Sequence, residues 1–301
     1  MEQINNDKSN LETSQVEYKK YLKINSEEEL LEKIFFSFIL FSINIQYNVK
    51  MNMSIFYKRD FGNLEELALI GNKIKDISSL SSNKFPHLKT LNLENNDLDS
   101  SIIPILKKLN LPELTKLSLN KNKITDIKIF GLIKKFTKLK LFYIGENKFI
   151  NDESNDFYKF PNSLEEFGLT GNFEGENINF IRRLGIENLK ILYISRNKIT
   201  NLQCLQEINF LRLDEFWADN NNITDIKEIM NIRNKKNLRR INLKKNKINN
   251  LNELFNIIQF FPNLKILNLA CNDEIGKEEF NKMRAKIIEK CQIDLKIEMN
   301  N

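Results

Sequence analysis

Residues Leu189–Ile199 read Leu-Lys-Ile-Leu-Tyr-Ile-Ser-Arg-Asn-Lys-Ile, with apolar residues at positions one, four, six and eleven and asparagine at position nine. The same pattern recurs along the chain, and its asparagine falls at ten places: Asn48, Asn72, Asn96, Asn122, Asn147, Asn172, Asn197, Asn221, Asn246 and Asn272. Successive asparagines are 24, 24, 26, 25, 25, 25, 24, 25 and 26 residues apart. Because ten copies keep both the motif and the period, the sequence predicts a stack of repeated structural units.

The spacing inside each motif predicts a short strand with one buried face. Positions four and six project to one side of a strand and position five projects to the other. The asparagine follows where the chain must turn inward. Its carboxamide both donates and accepts, so we expect it to bond backbone groups of its own and neighbouring repeats. One repeat cannot bury its leucines alone, so the repeats must stack, with parallel strands about 4.8 Å apart on a concave side.

The segments between motifs predict short helical returns on a convex side. In the segment 124–136, apolar residues come at intervals of three and four, which suits a short helix or a 3-10 turn. The return at 223–226 is short, whereas Leu251–Phe261 is long enough for a true helix. The sequence therefore predicts a mixture of the two kinds of return.

These copies resemble the leucine-rich-repeat superfamily over residues 40–274. The resemblance implies an α/β solenoid, a curved horseshoe with a parallel sheet on its concave side and short helices or 3-10 turns on its convex side. Some copies are similar to the short repeats of intracellular phosphatase-regulatory subunits, and others to the longer ribonuclease-inhibitor-like repeats. The family's usual mode of action implies that a protein or peptide binds on the concave face.

The flanking segments predict a tail and two caps. Residues 1–17 are polar and are expected to be disordered, and residues 18–39 are expected to form a helical cap that begins at the capping-box pattern Ser26–Glu29. For the apolar run Ile34–Ile45, the alternative to a cap is a membrane-spanning helix. Its 12 residues are fewer than the roughly 20 needed to cross a bilayer, so a buried cap is favoured. Residues 275–301 are expected to form a helix and strand that cap the other end.

Composition favours an intracellular protein without a metal site. Lys and Arg number 46 against 40 Asp and Glu, and these charges are interspersed, which is typical of a solvated surface. The three cysteines and single histidine match no zinc or redox spacing, and sparse thiols favour a reducing compartment. The cysteines are Cys204, Cys271 and Cys291, and the histidine is His87. We expect a cytoplasmic location, with the nucleus as the alternative.

Position five of the motif predicts a binding surface. Reading down that column gives Asn44, Ala68, Asn92, Ser118, Tyr143, Gly168, Tyr193, Trp217, Asn242 and Asn268. Three aromatic residues cluster in repeats five to eight, with Leu141 and Ile191 beside two of them at position three. Gly168 between Tyr143 and Tyr193 predicts a slot two strand spacings wide, about 10 Å. We hypothesise an aromatic floor for a peptide or protein loop; the alternative is that the rings only stabilise the sheet.

Charge gives a second candidate surface. A basic strip lies in repeat nine, comprising Arg239, Arg240, Lys244 and Lys245. The register predicts that Glu215 lies beside Arg240 and Asp219 beside Lys244, so that cross-strand pairing explains the strip without a ligand. The alternative is that Arg240 and Lys244 steer an acidic partner.

No catalytic motif emerges from the sequence. It has no Gly-rich phosphate loop after a strand, no nucleophile elbow and no clustered metal ligands. We therefore expect a non-catalytic scaffold or a regulatory or recognition subunit, monomeric by itself and without a cofactor. The alternative is an adaptor associated with nucleic acid or ribonucleoprotein, which would require basic character concentrated on one face.

Overall fold

The computed structural model describes residues 22–24, 41–46, 51–57, 60–150, 157–173, 178–233, 235–249 and 251–272, with residues 278, 281, 282, 285 and 296–298. The chain divides into two compact units. The first comprises Met1–Ile124 and Phe136–Leu139, and the second comprises Thr125–Lys135 and Lys140–Asn301.

In the first unit, parallel strands follow one another in chain order. They are β1 (Leu22–Ile24), β2 (Ser42–Gln46), β3 (Glu66–Ile70), β4 (Thr90–Asn92) and β5 (Lys116–Ser118). The returns between them include two 3-10 turns and a short helix: Met53–Phe56, Ser78–Ser82 and α1 (Ile102–Lys108).

The second unit repeats this arrangement. Its parallel strands are β6 (Leu141–Tyr143), β7 (Glu166–Gly168), β8 (Ile191–Tyr193), β9 (Glu215–Trp217), β10 (Arg240–Asn242), β11 (Ile266–Asn268) and β12 (Lys296–Glu298). Its helices are α2 (Ile129–Ile133) and α3 (Leu254–Phe260), and its 3-10 turns are Asn179–Arg183, Gln203–Glu207 and Ile226–Asn231. The predicted alternation of parallel strands with a mixture of short helices and 3-10 turns is confirmed.

The two ends of the chain are described only in part. Strand β1 lies inside the segment 18–39, for which the sequence predicts a helical cap, and this strand was not predicted. Strand β12 lies inside the segment 275–301, for which the sequence predicts a helix and a strand. The tail 1–17, the capping-box helix and most of the predicted C-terminal helix lie outside the described residues. In the described part of the chain, no helix has the length and apolar character to traverse a bilayer.

The core includes the side chains at positions four and six of the motifs. Leu117 and Leu119 of the first unit and Leu192 and Ile194 of the second are fully buried. In the second unit, Phe130 of α2 extends this core, with ring centroids 5.3 to 6.5 Å from those of Phe142, Phe149, Phe160, Phe167 and Phe180. The return segment and the strands therefore share one apolar interior.

The motif asparagines tie each repeat to the one before it. The Asn197 side chain is fully buried, and its Nδ2 donates to the Leu169 carbonyl at 3.0 Å and the Ile194 carbonyl at 3.0 Å. Its Oδ1 accepts from the backbone N–H of Asn172 at 2.7 Å and of Phe173 at 3.0 Å. One carboxamide thus serves four backbone groups that would otherwise be buried without a partner.

The same role recurs in the first unit. Asn96 Nδ2 donates to the Leu69 carbonyl at 2.7 Å, and its Oδ1 accepts from the N–H groups of Asn72 and Ile74, each at 3.0 Å. Nine of the ten motif asparagines are described and buried: Asn72, Asn96, Asn122, Asn147, Asn172, Asn197, Asn221, Asn246 and Asn272. Asn48 lies outside the described residues.

The residue directly before each of these nine asparagines has a positive φ. The angles lie between 52° and 71° at Gly71, Asn95, Lys121, Glu146, Gly171, Arg196, Asn220, Lys245 and Cys271. Seven of these nine residues are not glycine, although the left-handed region costs an L-residue about 1–2 kcal/mol. The backbone is therefore locally strained at each turn that directs an asparagine into the interior.

We predict that Asn197→Ala lowers the free energy of unfolding by about 2–4 kcal/mol. The two backbone N–H groups that it serves lose their acceptor, and each unsatisfied buried donor costs about 1–3 kcal/mol. Urea unfolding followed by circular dichroism measures the change. Asn209→Ala is the control, because Asn209 is exposed, and we expect a change within about 0.5 kcal/mol. Equal losses in the two variants would contradict the bridging role.

We predict that Lys245→Gly stabilises the protein by about 0.5 kcal/mol. Glycine removes about 1–2 kcal/mol of strain at a φ of 54°, which outweighs the roughly 0.4–1 kcal/mol of additional unfolded-state entropy. Lys247→Gly, at a nearby exposed position without a positive φ, should destabilise the protein instead. Chemical denaturation of both variants tests this, and a loss of stability in Lys245→Gly would refute it.

Candidate functional site

Strands β6 to β9 align the predicted aromatic residues on one face of the sheet. The register pairs Tyr143 with Gly168, Gly168 with Tyr193, and Tyr193 with Trp217. The flanking side chains at position four are fully buried on the opposite face, whereas the three aromatic side chains are partly exposed. We call Tyr143, Tyr193 and Trp217 the aromatic row.

The three rings contact one another in sequence. The ring centroids of Tyr193 and Trp217 are 6.0 Å apart with the planes 28° from parallel, and those of Tyr143 and Tyr193 are 6.4 Å apart at 55°. The prediction of an open slot at Gly168 is wrong. Tyr143 leans over this glycine, since a Cβ there would lie 2.8 Å from Tyr143 Cδ1. The missing side chain thus admits a neighbouring ring and leaves a continuous aromatic surface.

Two glutamates at position three fix the orientation of the outer rings. The Tyr143 hydroxyl donates to Glu166 Oε2 at 2.5 Å, and Trp217 Nε1 donates to Glu215 Oε2 at 3.0 Å. Both bonds involve a carboxylate and are therefore stronger than bonds between neutral groups. The polar edges of the rings are held by the protein, while their faces stay on the open side of the sheet.

Burial and these carboxylates also control the protonation of the tyrosines. Burial raises the pKa of the Tyr143 hydroxyl above its usual range, and the bond to Glu166 adds to the rise. Burial, followed by the charges of Glu166 and Glu215, raises the pKa of Tyr193. Both phenols therefore stay protonated at neutral pH.

The apolar residues predicted beside the row alternate with the two glutamates. The register at position three places Leu141 next to Glu166, Glu166 next to Ile191, and Ile191 next to Glu215. Leu141 and Ile191 are partly exposed. Glu166 was not among the residues singled out from the sequence. The sequence signal for it is that it occupies position three of the motif, in the strand next to that of Tyr143.

Arg240 lies at the β10 end of the aromatic row. Its Cζ is 5.7 Å from the centroid of the Trp217 ring, within the range of a cation–π contact. The register places it beside Glu215, as predicted, and its Nη1 is 3.9 Å from Glu215 Oε2. Arg239 instead forms an ion pair with Asp214. The two arginines of the predicted basic strip therefore face different acidic residues.

The predicted pair of Asp219 with Lys244 is wrong. Asp219 Oδ1 accepts hydrogen bonds from Ser195 Oγ at 2.6 Å and from Asn242 Nδ2 at 3.1 Å, and within the described ranges no ion pair joins it to Lys244. The two short polar side chains satisfy the carboxylate at little entropic cost, whereas a lysine would have to immobilise a long stem. Lys244 remains partly exposed at the end of the strand.

A second contact passes over the repeat that contains Gly168. Arg196 Nη1 donates to Glu146 Oε1 at 3.3 Å, although 50 residues separate them in sequence. Gly171 lies beneath this pair, where a Cβ would approach Glu146 Cγ to 3.2 Å. Gly168, the single glycine at position five of the ten motifs, and Gly171 three residues later are the sequence signal for these contacts, although Gly71 occupies the same position as Gly171 in another repeat.

The cysteines contribute no reactive group to this face. Cys204 is buried, and burial raises the pKa of its thiol to about 12, so it stays protonated at neutral pH. Cys271 is partly exposed, and Cys291 lies outside the described residues. Among the residues that the structure describes, no three His, Cys, Asp or Glu side chains are grouped to hold a metal ion.

We predict that Gly168→Ala destabilises the protein by about 1–3 kcal/mol, the usual cost of inserting a methyl group into a packed site. The new Cβ must displace the Tyr143 ring and strain its bond to Glu166. Urea unfolding of a double-mutant cycle tests the cause. In a Tyr143→Ala background the same substitution should cost much less, and an undiminished cost there would show that the clash is elsewhere.

Comparisons with known proteins agree with this architecture. Residues 62–107 match the family model described as leucine-rich repeats in two copies. Tubulin-specific chaperone E of Dictyostelium discoideum is 34% identical over 149 residues, which cover 49% of this chain and 21% of that protein. The chain therefore spans about a fifth of the length of this relative.

Solved structures show the same fold at lower identity. An internalin from Listeria monocytogenes is 20% identical, with a TM-score of 0.54 and coverage of 92% of this chain and 85% of the internalin. A leucine-rich-repeat protein from Leptospira interrogans is 23% identical, with a TM-score of 0.59 and coverage of 89% and 74%. Likeness at these identities concerns the fold and leaves the function to the residues of the site.

Proposed function

This chain belongs to the leucine-rich-repeat superfamily, and we propose that it is a non-catalytic module that binds a segment of another protein on the open face of β6 to β9. The module would act as a scaffold or recognition subunit in the cytoplasm. Its three cysteines are sparse, and the described Cys204 and Cys271 are not joined to each other, which suits a reducing compartment.

The aromatic row is the observation that carries this proposal. Tyrosine and tryptophan supply large contact areas and are the residues that most often dominate binding energy at protein interfaces. Here their orientations are fixed before any partner binds, since Glu166 holds Tyr143 and Glu215 holds Trp217. A surface that is already ordered loses less conformational entropy on binding.

The chemistry of the face defines a partner segment with a mixed character. The ring faces and the partly exposed Leu141 and Ile191 favour apolar or aromatic side chains. Arg240, at one end, offers a donor to a partner carboxylate or carbonyl. A short extended segment or a loop of a folded protein fits this arrangement better than a small cofactor.

Tubulin is the first defined partner to test. The matched relative carries the name of a tubulin-specific chaperone, and the match covers about half of this chain. We therefore propose that this module takes part in handling tubulin or a protein that associates with it.

The experiment compares capture of tubulin, purified and from cell lysate, by three forms of the full chain. They are the wild type, the variant Tyr143→Ala/Tyr193→Ala/Trp217→Ala, and the control Thr90→Ala/Lys116→Ala, which alters partly exposed position-three residues in the first unit. Central aromatic anchors contribute about 2 kcal/mol or more each, so the triple variant should lose well over tenfold in affinity while the control retains it.

Melting temperatures of all three forms establish that loss of binding is not loss of folding. If the triple variant melts below the assay temperature, the single variant Trp217→Ala replaces it. A partner that is captured equally by the wild type and by a folded aromatic variant would show that the row only stabilises the sheet. If purified tubulin does not bind while another protein is captured through the row, the proposal of tubulin as the partner fails and the proposal of the aromatic row as the binding site stands.

A further inference from the structure

A row of charged residues lies across the N-terminal ends of four strands in the second unit. Position two of the motif is Lys190, Asp214, Arg239 and Lys265 in successive repeats. Each backbone N–H in this row donates to the carbonyl of the previous member at 2.8 Å: Asp214 to Lys190, Arg239 to Asp214, and Lys265 to Arg239. Three strand spacings of about 4.8 Å make the row about 14 Å long.

A second set of residues, two or three positions before the first row in the chain, completes a groove. Arg212, Lys236, Asn237 and Asn263 line it together with the first row, and they enclose a volume of about 520 Å³. The two asparagines tie neighbouring repeats together: Asn237 Nδ2 donates to the Leu211 carbonyl at 2.7 Å and Asn263 Nδ2 to the Lys236 carbonyl at 2.6 Å. The floor of this basic groove is therefore fixed by side-chain bonds to the backbone.

The lining of the basic groove is strongly cationic. It contains Lys190, Arg212, Lys236, Arg239 and Lys265 against the single carboxylate Asp214, so five positive charges less one negative charge leave +4. Asp214 is engaged by Arg239 through Nε at 2.5 Å and through Nη2, and Lys190 is engaged by Glu165 at 2.8 Å. The one acid of the groove is therefore already neutralised by a partner.

Two cations of the groove are not held in an ion pair by any residue that the structure describes. Arg212 and Lys265 are exposed, and in the part of the chain that the structure describes neither forms an ion pair. Elsewhere at position two, a lysine faces a glutamate of the preceding repeat, as Lys89 faces Glu65 at 3.0 Å. Lys265 instead follows Arg239, whose charge is already paired with Asp214, so the Lys265 ammonium has no carboxylate beside it in this row and is open to an external anion.

We propose that the basic groove binds an acidic segment of a partner protein, whose carboxylates lie against Arg212 and Lys265. The length of the row matches about four residues of extended chain at roughly 3.3 Å each. A nucleic acid fits less well. Single strands are held by aromatic rings on which bases stack, and no aromatic residue is among those that line the groove.

This surface is separate from the aromatic row. Position two lies three residues before position five along each strand, a distance of about 10 Å. The proposal therefore extends the function proposed above and does not rest on it, and the two surfaces can be tested with different variants.

The test measures binding of fluorescein-labelled octaglutamate to the full chain by anisotropy. Octaglutamine and an oligouridine of eight nucleotides are the comparison probes. We expect octaglutamate to bind with an affinity that falls as salt is added, and octaglutamine not to bind. The variant Arg212→Glu/Lys265→Glu should weaken octaglutamate binding at least about tenfold, because two favourable contacts become repulsive.

The matched control is Lys128→Glu/Lys247→Glu, which changes the net charge equally at exposed lysines outside the groove. It should alter the affinity by less than about twofold. Absence of octaglutamate binding, or an equal loss in both variants, would overturn the proposal, the latter by showing that only net charge matters. Tighter binding of oligouridine that is lost with Arg212→Glu/Lys265→Glu would replace the acidic segment with a nucleic acid.

Discussion

The carboxamide that joins each turn to the repeat before it is the interaction on which the rest of the structure depends. A motif turns inward directly after its strand, and this brings backbone N–H and carbonyl groups into an apolar interior. Asn197 shows how the cost is met: it donates to Leu169 and Ile194 and accepts from Asn172 and Phe173. Asparagine suits this role because a single short side chain carries both donors and an acceptor.

The inward turn sets the conditions for everything on the sheet surface. The residue before each of the nine described motif asparagines takes a positive φ, so the chain turns inward at the same position in each of these repeats. Repeats that turn at the same position hold neighbouring strands in register, and register is what aligns position two as a row of charges and position five as a row of rings. Both proposed surfaces are therefore consequences of one repeated turn.

The sequence predicts what the period determines and misses what side-chain rotation determines. Strands β3 to β11 follow from the motif, because alternation of buried and exposed positions leaves one register that buries the leucines. The column that contains Tyr143, Gly168 and Tyr193 follows in the same way. That Tyr143 would lean across Gly168 could not be deduced, because the ring can rotate into any space that its neighbours leave.

The other misses have similar causes. Asp219 lies near Lys244 in the sequence pattern, yet it bonds Ser195 and Asn242, because short side chains already in place compete better than a flexible one. Strand β1 has only three residues and no motif around it, so no local pattern predicts its pairing with β2.

The pair of contacts over the Gly168 repeat has a consequence for how such a chain can change. Where each repeat contacts only its immediate neighbours, a repeat of 24–26 residues can be duplicated or lost by recombination, and the flanking repeats then stack on each other again. The contacts of Tyr143 with Tyr193 and of Glu146 with Arg196 join repeats that are not adjacent. Insertion or loss of one repeat there would break both pairs, so the three repeats from Tyr143 to Arg196 depend on one another.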